Sequence, residues 1–191
     1  MQQEIAANKY KDKIITIPNI LSLVRLLMIP LIVWLYLGKR DYFLTGIFLL
    51  ISGLTDVVDG YIARHFNMIS DVGKVLDPFA DKATQGAMLL CLLTSFAIMW
   101  LPIILLILKE SFMALSGYMV VKKCGIVLGA DWHGKAATTV VASVMLLHLF
   151  WYDINPTISA VLIFASAAMI LLSLILYAVR NFGYILGKRK D

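Results

Sequence analysis

Four aspartates, Asp56, Asp59, Asp77 and Asp81, stand between two of the most apolar segments of this chain. Residues three or four apart share one face of a helix. Asp56 with Asp59, and Asp77 with Asp81, therefore read as two carboxylate pairs, each projecting one way. Such pairs are costly in an apolar setting: one Asp at the centre of a spanning helix costs roughly 2.5 to 3.5 kcal/mol, and less near an end. Arg64 and Lys82 offset part of the charge. Divalent metal offsets the rest, because hard cations take carboxylate oxygens and Mg²⁺ keeps positions for water and substrate phosphate. Two ions can share four carboxylates and bridge a diphosphate. The competing readings are a set of inter-helix salt bridges and a cation pathway. Four acids against two nearby bases leave a negative excess, which disfavours the first.

The elements that must carry these residues follow from composition. The chain has 191 residues, 61% of them hydrophobic, and a mean hydropathy of +0.86. That composition suits a bilayer better than water. A spanning helix needs roughly 20 apolar residues. The expectation is an all-α integral membrane protein of six transmembrane helices, forming one domain over 1–191. A cytoplasmic or interfacial segment (1–19) precedes a six-helix bundle (20–181), and a basic tail (182–191) follows.

Apolar runs cover 20–37, 42–64, 134–151 and 157–180, and 26 uncharged residues lie between Lys82 and Lys109. The helix-breaking tendency of Pro102 favours splitting that stretch at "MWLP". Charge sets the orientation, since cytoplasmic loops collect Lys and Arg. With both termini inside, the inner side receives Lys9, Lys11, Lys13, Arg64, Lys74, Lys122, Lys123, Lys135 and Lys188 to Lys190. The outer side receives Lys39, Arg40 and Asp153. The opening residues carry Glu4 and Asp12 and no cleavage-site pattern, so the first span reads as a retained anchor. The lysines before "IPNI" read either as an interfacial segment on anionic headgroups or as an ordinary basic flank.

On this layout the two carboxylate pairs lie at the inner ends of consecutive antiparallel spans. Asp59 is five residues before Arg64, roughly 7 Å at helical rise. With the third span starting near Asp71, Asp77 lies roughly 9 Å in. All four carboxylates are expected to meet in one cavity open to the cytoplasm. Gly60, Ala63 and Gly73 flank them and leave clearance for a ligand, with close helix packing as the alternative. Pro78 either opens the third helix or kinks it.

The residues Asp56-x2-Asp59-Gly60-x2-Ala63-Arg64-x8-Gly73-x3-Asp77-x3-Asp81 resemble the signature of the CDP-alcohol phosphotransferase family at every fixed position. "IPNILSLVR" (17–25) resembles the usual start of such chains. The resemblance implies transfer of a phosphatidyl group from CDP-diacylglycerol to an alcohol or lipid acceptor, with release of CMP. It implies Mg²⁺, as two ions, with Mn²⁺ as an alternative. It places metal on Asp56, Asp59, Asp77 and Asp81, assigns Asp81 as the general base, and sets the CDP-lipid around Asp56, Gly60, Ala63, Arg64 and Gly73. Asn19 and Arg25 fall near the nucleotide or its phosphates, with headgroup snorkelling as the plainer role for Arg25. The resemblance also implies a homodimer in the cell membrane with its site facing the cytoplasm. Membrane lipids are partners, and nucleic acid is not.

"LDPFADK" resembles the phosphatidylglycerophosphate and cardiolipin synthases, so glycerol 3-phosphate is the first acceptor expected and phosphatidylglycerol the second. Lys109 and Lys135 are the cations suited to an acceptor phosphate, with Lys122, Lys123 and His133 nearby. The chain departs from the glycerophosphate pattern in two ways: Lys109-Glu110 replaces Arg-Glu, and no arginine stands near Tyr118. His148, alone among apolar residues, reads as structural. Cys91 and Cys124 lie in no metal-ligand spacing and read as free thiols. A cation transporter is the rival class, but the outer halves of the spans hold almost no ionisable groups.

Overall fold

The computed structural model describes residues 16–66, 68, 70–126, 128–129 and 131–187. Every regular element among them is helical: α1 (Ile17–Val33), α2 (Tyr42–His65), α3 (Gly73–Leu93), α4 (Trp100–Cys124), α5 (Trp132–Phe150) and α6 (Pro156–Ile185). Four stretches are long and apolar enough to cross a membrane, namely Ile17–Lys39, Tyr42–His65, Ala97–Cys124 and Pro156–Ile185. By length and composition this is a membrane-embedded chain. The charges of the signature crowd the first turns of α3, while His133, Lys135 and His148 dilute α5. These two helices fall outside that set of four. Large apolar side chains such as Leu27, Phe43, Leu115 and Val179 stand exposed on the helices, as a lipid solvent permits.

The chain divides into two compact units, 1–91 and 92–191. In the first, α1 packs along α2. Helix α1 opens at Ile17, three residues before the expected start of the first span. Thr16 caps it by accepting the Asn19 N–H at 3.3 Å. Pro18 and Asn19 occupy its first helical turn. Proline is tolerated there because its missing N–H would have no helical partner. The basic residues of the expected interfacial segment (Lys9, Lys11, Lys13) and of the tail (Lys188, Arg189, Lys190) lie outside the described residues.

Helix α1 ends in a π-helical turn, Trp34–Lys39, after which Arg40 adopts a left-handed conformation at φ 55°. Asp41 then caps α2, accepting the Leu44 N–H at 2.9 Å. That arrangement closes "GKRD" into the short connection that the charge pattern calls for. Helix α3 begins at Gly73, two residues after the expected Asp71. Pro78 therefore lies inside the helix and does not start it.

In the second unit the expected break near Pro102 is present. A 3₁₀ turn, Ala97–Met99, leads into α4, and Pro102 occupies its first turn. Helix α4 stops at Gly125, left-handed at φ 71°. Helices α4 and α5 both pack on α6. Ser159, Ser166 and Ser173 recur every seven residues on α6 and are buried. Small residues at such a seam let helix backbones approach closely. The seam is pinned in antiparallel register by two histidines of α5. His133 Nδ1 lies 3.2 Å from Ser173 Oγ, and His148 Nε2 lies 2.8 Å from Ser159 Oγ. With its other nitrogen 2.7 Å from the Val144 carbonyl, His148 is satisfied on both sides, in keeping with a structural role. Each inter-helix hydrogen bond of this kind contributes about 0.6 kcal/mol on average within a membrane.

Candidate functional site

One face of α1 assembles the signature. Asn19, Ser22 and Arg25 recur every three residues and are buried, and each reaches a different part of it. The Arg25 guanidinium spans both aspartates of α2: Nη1 lies 2.6 Å from Asp56 Oδ1 and Nη2 lies 2.5 Å from Asp59 Oδ2. Ser22 donates to Asp77 Oδ1 on α3. Asn19 Nδ2 donates to Ser70 Oγ at 2.9 Å, and Ser70 Oγ in turn accepts the Gly73 N–H at 3.0 Å. Ser70 thereby satisfies a free donor at the start of α3.

Burial grades the carboxylates. Arg25 is 1% exposed and Asp59 2%, while the Asp56 side chain is 45% exposed. Asp77 is half-buried and Asp81 exposed. The charge that offsets the pair on α2 is Arg25. Arg64, expected to share that task, instead lies exposed along its own helix and donates from Nε to the Gly60 carbonyl at 2.9 Å. Headgroup snorkelling does not describe Arg25, whose side chain is enclosed.

The glycines separate by role. A Cβ on Gly73 would stand 2.5 Å from Asn19 Oδ1 and 3.1 Å from Ser70 Oγ. The space beside Gly73 is thus occupied by Asn19, a close-packing requirement of the fold. A Cβ on Gly60 would meet only the end of the Arg64 side chain, at 3.6 Å. The space beside Gly60 is otherwise open, and Ala63 on the same helix is half-buried.

The second unit holds the expected acceptor-side cations. Lys109 is buried with its Nζ 3.7 Å from Glu110 Oε1, whereas Lys135 is exposed at the start of α5. Tyr118, near which the glycerophosphate pattern would carry an arginine, is exposed. A network that the sequence did not suggest surrounds Asp131. Arg180 Nη1 lies 2.7 Å from Asp131 Oδ2 and donates to the Gly129 carbonyl at 2.9 Å. The same guanidinium lies over the Tyr177 ring at 4.8 Å. His133 Nε2 is 3.2 Å from Asp131 Oδ2, and the Asp131 N–H donates to the Tyr177 hydroxyl at 3.0 Å. No local motif marks this set, whose members are brought together by the fold of α5 on α6.

The family model for CDP-alcohol phosphatidyltransferases matches residues 15–182. The chain belongs to this family. Relatives within reach of the phosphatidyltransferase match include a CDP-diacylglycerol–glycerol-3-phosphate 3-phosphatidyltransferase of Aquifex aeolicus. It is 32% identical over 178 residues, covering 88% of this chain and 97% of the relative. A cardiolipin synthase (CMP-forming) of Streptomyces coelicolor is 35% identical over 114 residues, covering 56% of this chain and 53% of the relative. A cardiolipin synthase (CMP-forming)/mitochondrial hydrolase fusion protein of Schizosaccharomyces pombe is 47% identical over 83 residues, covering 43% of this chain and 14% of the relative. In the latter two cases the matched stretch spans about half the relative's length or less.

A divalent metal is implied by membership of the CDP-alcohol phosphatidyltransferases, and the donor chemistry fits one. Aspartate oxygens are the ligands that Mg²⁺ and Mn²⁺ prefer, and Ser22 and Arg25 already hold Asp56, Asp59 and Asp77. Among the described residues, however, no three His, Cys, Asp or Glu side chains form a ready ligand group. Asp56, Asp59 and Asp77 are tied together through α1. Carboxylates repel at close range, and the guanidinium between Asp56 and Asp59 offsets that repulsion.

Proposed function

We propose that this membrane-embedded chain transfers a phosphatidyl group from CDP-diacylglycerol to an alcohol acceptor and releases CMP. The site is assigned to the cytoplasmic side of the cell membrane, in a single domain of six spans. The observation that carries the reading is the gathering of Asp56, Asp59 and Asp77 by the Arg25 and Ser22 side chains of α1. Bound Mg²⁺, as two ions, would neutralise the donor diphosphate and so ease departure of CMP. Asp56, Asp59 and Asp77 would hold it, with Asp81 contributing. A charge count supports this: four carboxylates and Arg25 sum to −3, two divalent ions bring the site to +1, and an anionic diphosphate is then attracted.

Asp81 is exposed at the signature and is assigned as the general base for the acceptor hydroxyl. The open flank of Gly60, with Ala63 and Arg64 beside it, takes the cytidine side of the donor. Gly73 contributes by admitting Asn19. Lys109 and Lys135 are assigned to the acceptor, whose first candidate is glycerol 3-phosphate, as in the name of the Aquifex relative. Phosphatidylglycerol is the second candidate, favoured by the lack of an arginine near Tyr118 and by the cardiolipin synthases among the relatives. The enzyme is assigned as a homodimer.

Incubating the purified protein with CDP-diacylglycerol, Mg²⁺ and labelled glycerol 3-phosphate, phosphatidylglycerol or inositol tests the reading. Labelled phosphatidylglycerophosphate is the expected product, labelled cardiolipin supports the second acceptor, and no lipid product with any acceptor contradicts the assignment.

A further inference from the structure

Arg25 does more than lie near the aspartates. Its two terminal nitrogens are divided between Asp56 and Asp59, which takes up one oxygen of each. Its Nε is buried and has no hydrogen-bond partner among the described residues. Burying an unsatisfied guanidinium N–H is unfavourable, so the charge is retained against a local cost. A neutral hydrogen-bonding side chain would link two helices without that cost.

We propose that Arg25 is a resident counter-cation that keeps the aspartate pair assembled without metal and, through its charge, keeps divalent-metal binding weak. Arg25 is a positioning residue: it acts through Asp56 and Asp59. A like charge beside a dication in a partly shielded site repels it strongly. Metal therefore binds tightly only when further negative charge arrives. This corollary rests on the proposed function, in which that charge is the diphosphate of the CDP-lipid. Binding of metal and of nucleotide is then mutually reinforcing, as linkage requires.

The test is Mn²⁺ affinity, read from the electron paramagnetic resonance signal of free Mn²⁺ over detergent-purified full-length protein, with and without CDP. Wild-type protein is expected to bind Mn²⁺ weakly, and CDP to tighten it. Arg25→Gln removes the charge, so Mn²⁺ alone should bind about tenfold tighter or more, with a smaller gain from CDP. Arg25→Lys keeps the charge but loses the planar fork, and should stay within about threefold of wild type. Unchanged or weaker Mn²⁺ binding in Arg25→Gln overturns the proposal, as does equal tightening in Arg25→Lys. Should Arg25→Gln fold only with Mn²⁺ present, the metal replaces the missing charge and the proposal is supported; failure to fold even at saturating Mn²⁺ overturns it. If CDP leaves wild-type binding unchanged while Arg25→Gln tightens it, the counter-cation role stands and the diphosphate reading falls.

Discussion

Arg25 on α1 and Asp59 on α2 are 34 residues apart in the chain, yet their side chains meet at 2.5 Å and both are almost completely buried. The pair couples the first helix to the signature. Removing one partner of a buried ion pair leaves the other charge uncompensated, at about 3 to 5 kcal/mol. Arg25→Ala should therefore lower the unfolding temperature of the metal-free protein markedly, with Arg25→Lys in between. Thermal unfolding followed by intrinsic fluorescence in detergent would check this, and equal melting of Arg25→Ala and wild type would contradict it.

Gly73 and Gly53 offer a matched comparison. A Cβ at 73 drives into the buried Asn19 amide, whereas one at 53 meets nothing within 4 Å. Gly73→Ala should destabilise by about 1 to 3 kcal/mol, the range for an overpacked site. Gly53→Ala should be neutral or gain up to about 1 kcal/mol from helix propensity. Paired thermal melts distinguish the two, and equal effects would count against the Asn19–Gly73 contact.

These pairs also mark where the sequence is legible. Asp56, Asp59, Asp77 and Asp81 stand out because charge is rare in apolar helices, and their spacing reports a shared face without any knowledge of the fold. The all-helical architecture of the described residues and the break before Pro102 were similarly readable from run length, charge and proline. The partners of Arg25 were not. A long-range ion pair leaves no local pattern, and Arg64, five residues after Asp59, is the nearer counter-charge along the chain. Ser22 gave only the weak signal of a polar residue at three-residue spacing between Asn19 and Arg25. The network of Asp131, His133, Tyr177 and Arg180 depends on the register of α5 against α6, which periodicity alone does not fix.

Burial separates Asp59 from Asp81 and so separates their expected phenotypes. Asp59→Asn should weaken both metal-dependent CDP-lipid binding and turnover. Asp81→Asn should leave binding within a few-fold of wild type while cutting turnover by roughly 100-fold or more, the range for a lost general base. Equilibrium binding of CDP-diacylglycerol beside single-turnover rates would resolve them. Equal binding losses in both variants would exclude Asp81 as a dedicated base.

Lys135 is exposed while Lys109 is buried beside the half-buried Glu110, so Lys135 is the cation that can be neutralised without disturbing that pair. Lys135→Ala should raise KM for a phosphorylated acceptor by about tenfold, as loss of one charge-assisted contact implies. KM for CDP-diacylglycerol should be unaffected. Steady-state kinetics with each substrate varied in turn would show it, and an equal rise in both KM values would remove Lys135 from the acceptor site.

The aspartates gathered by α1 are expected to carry a metal-dependent transfer from a CDP-lipid, and CMP release reads that transfer most directly. Purified wild-type protein given CDP-diacylglycerol, an acceptor and Mg²⁺ should release CMP, stop on chelation with EDTA, and lose most of that release in Asp59→Asn. Release of CMP that persists undiminished in EDTA or in Asp59→Asn, or no release under any acceptor tested, would contradict it.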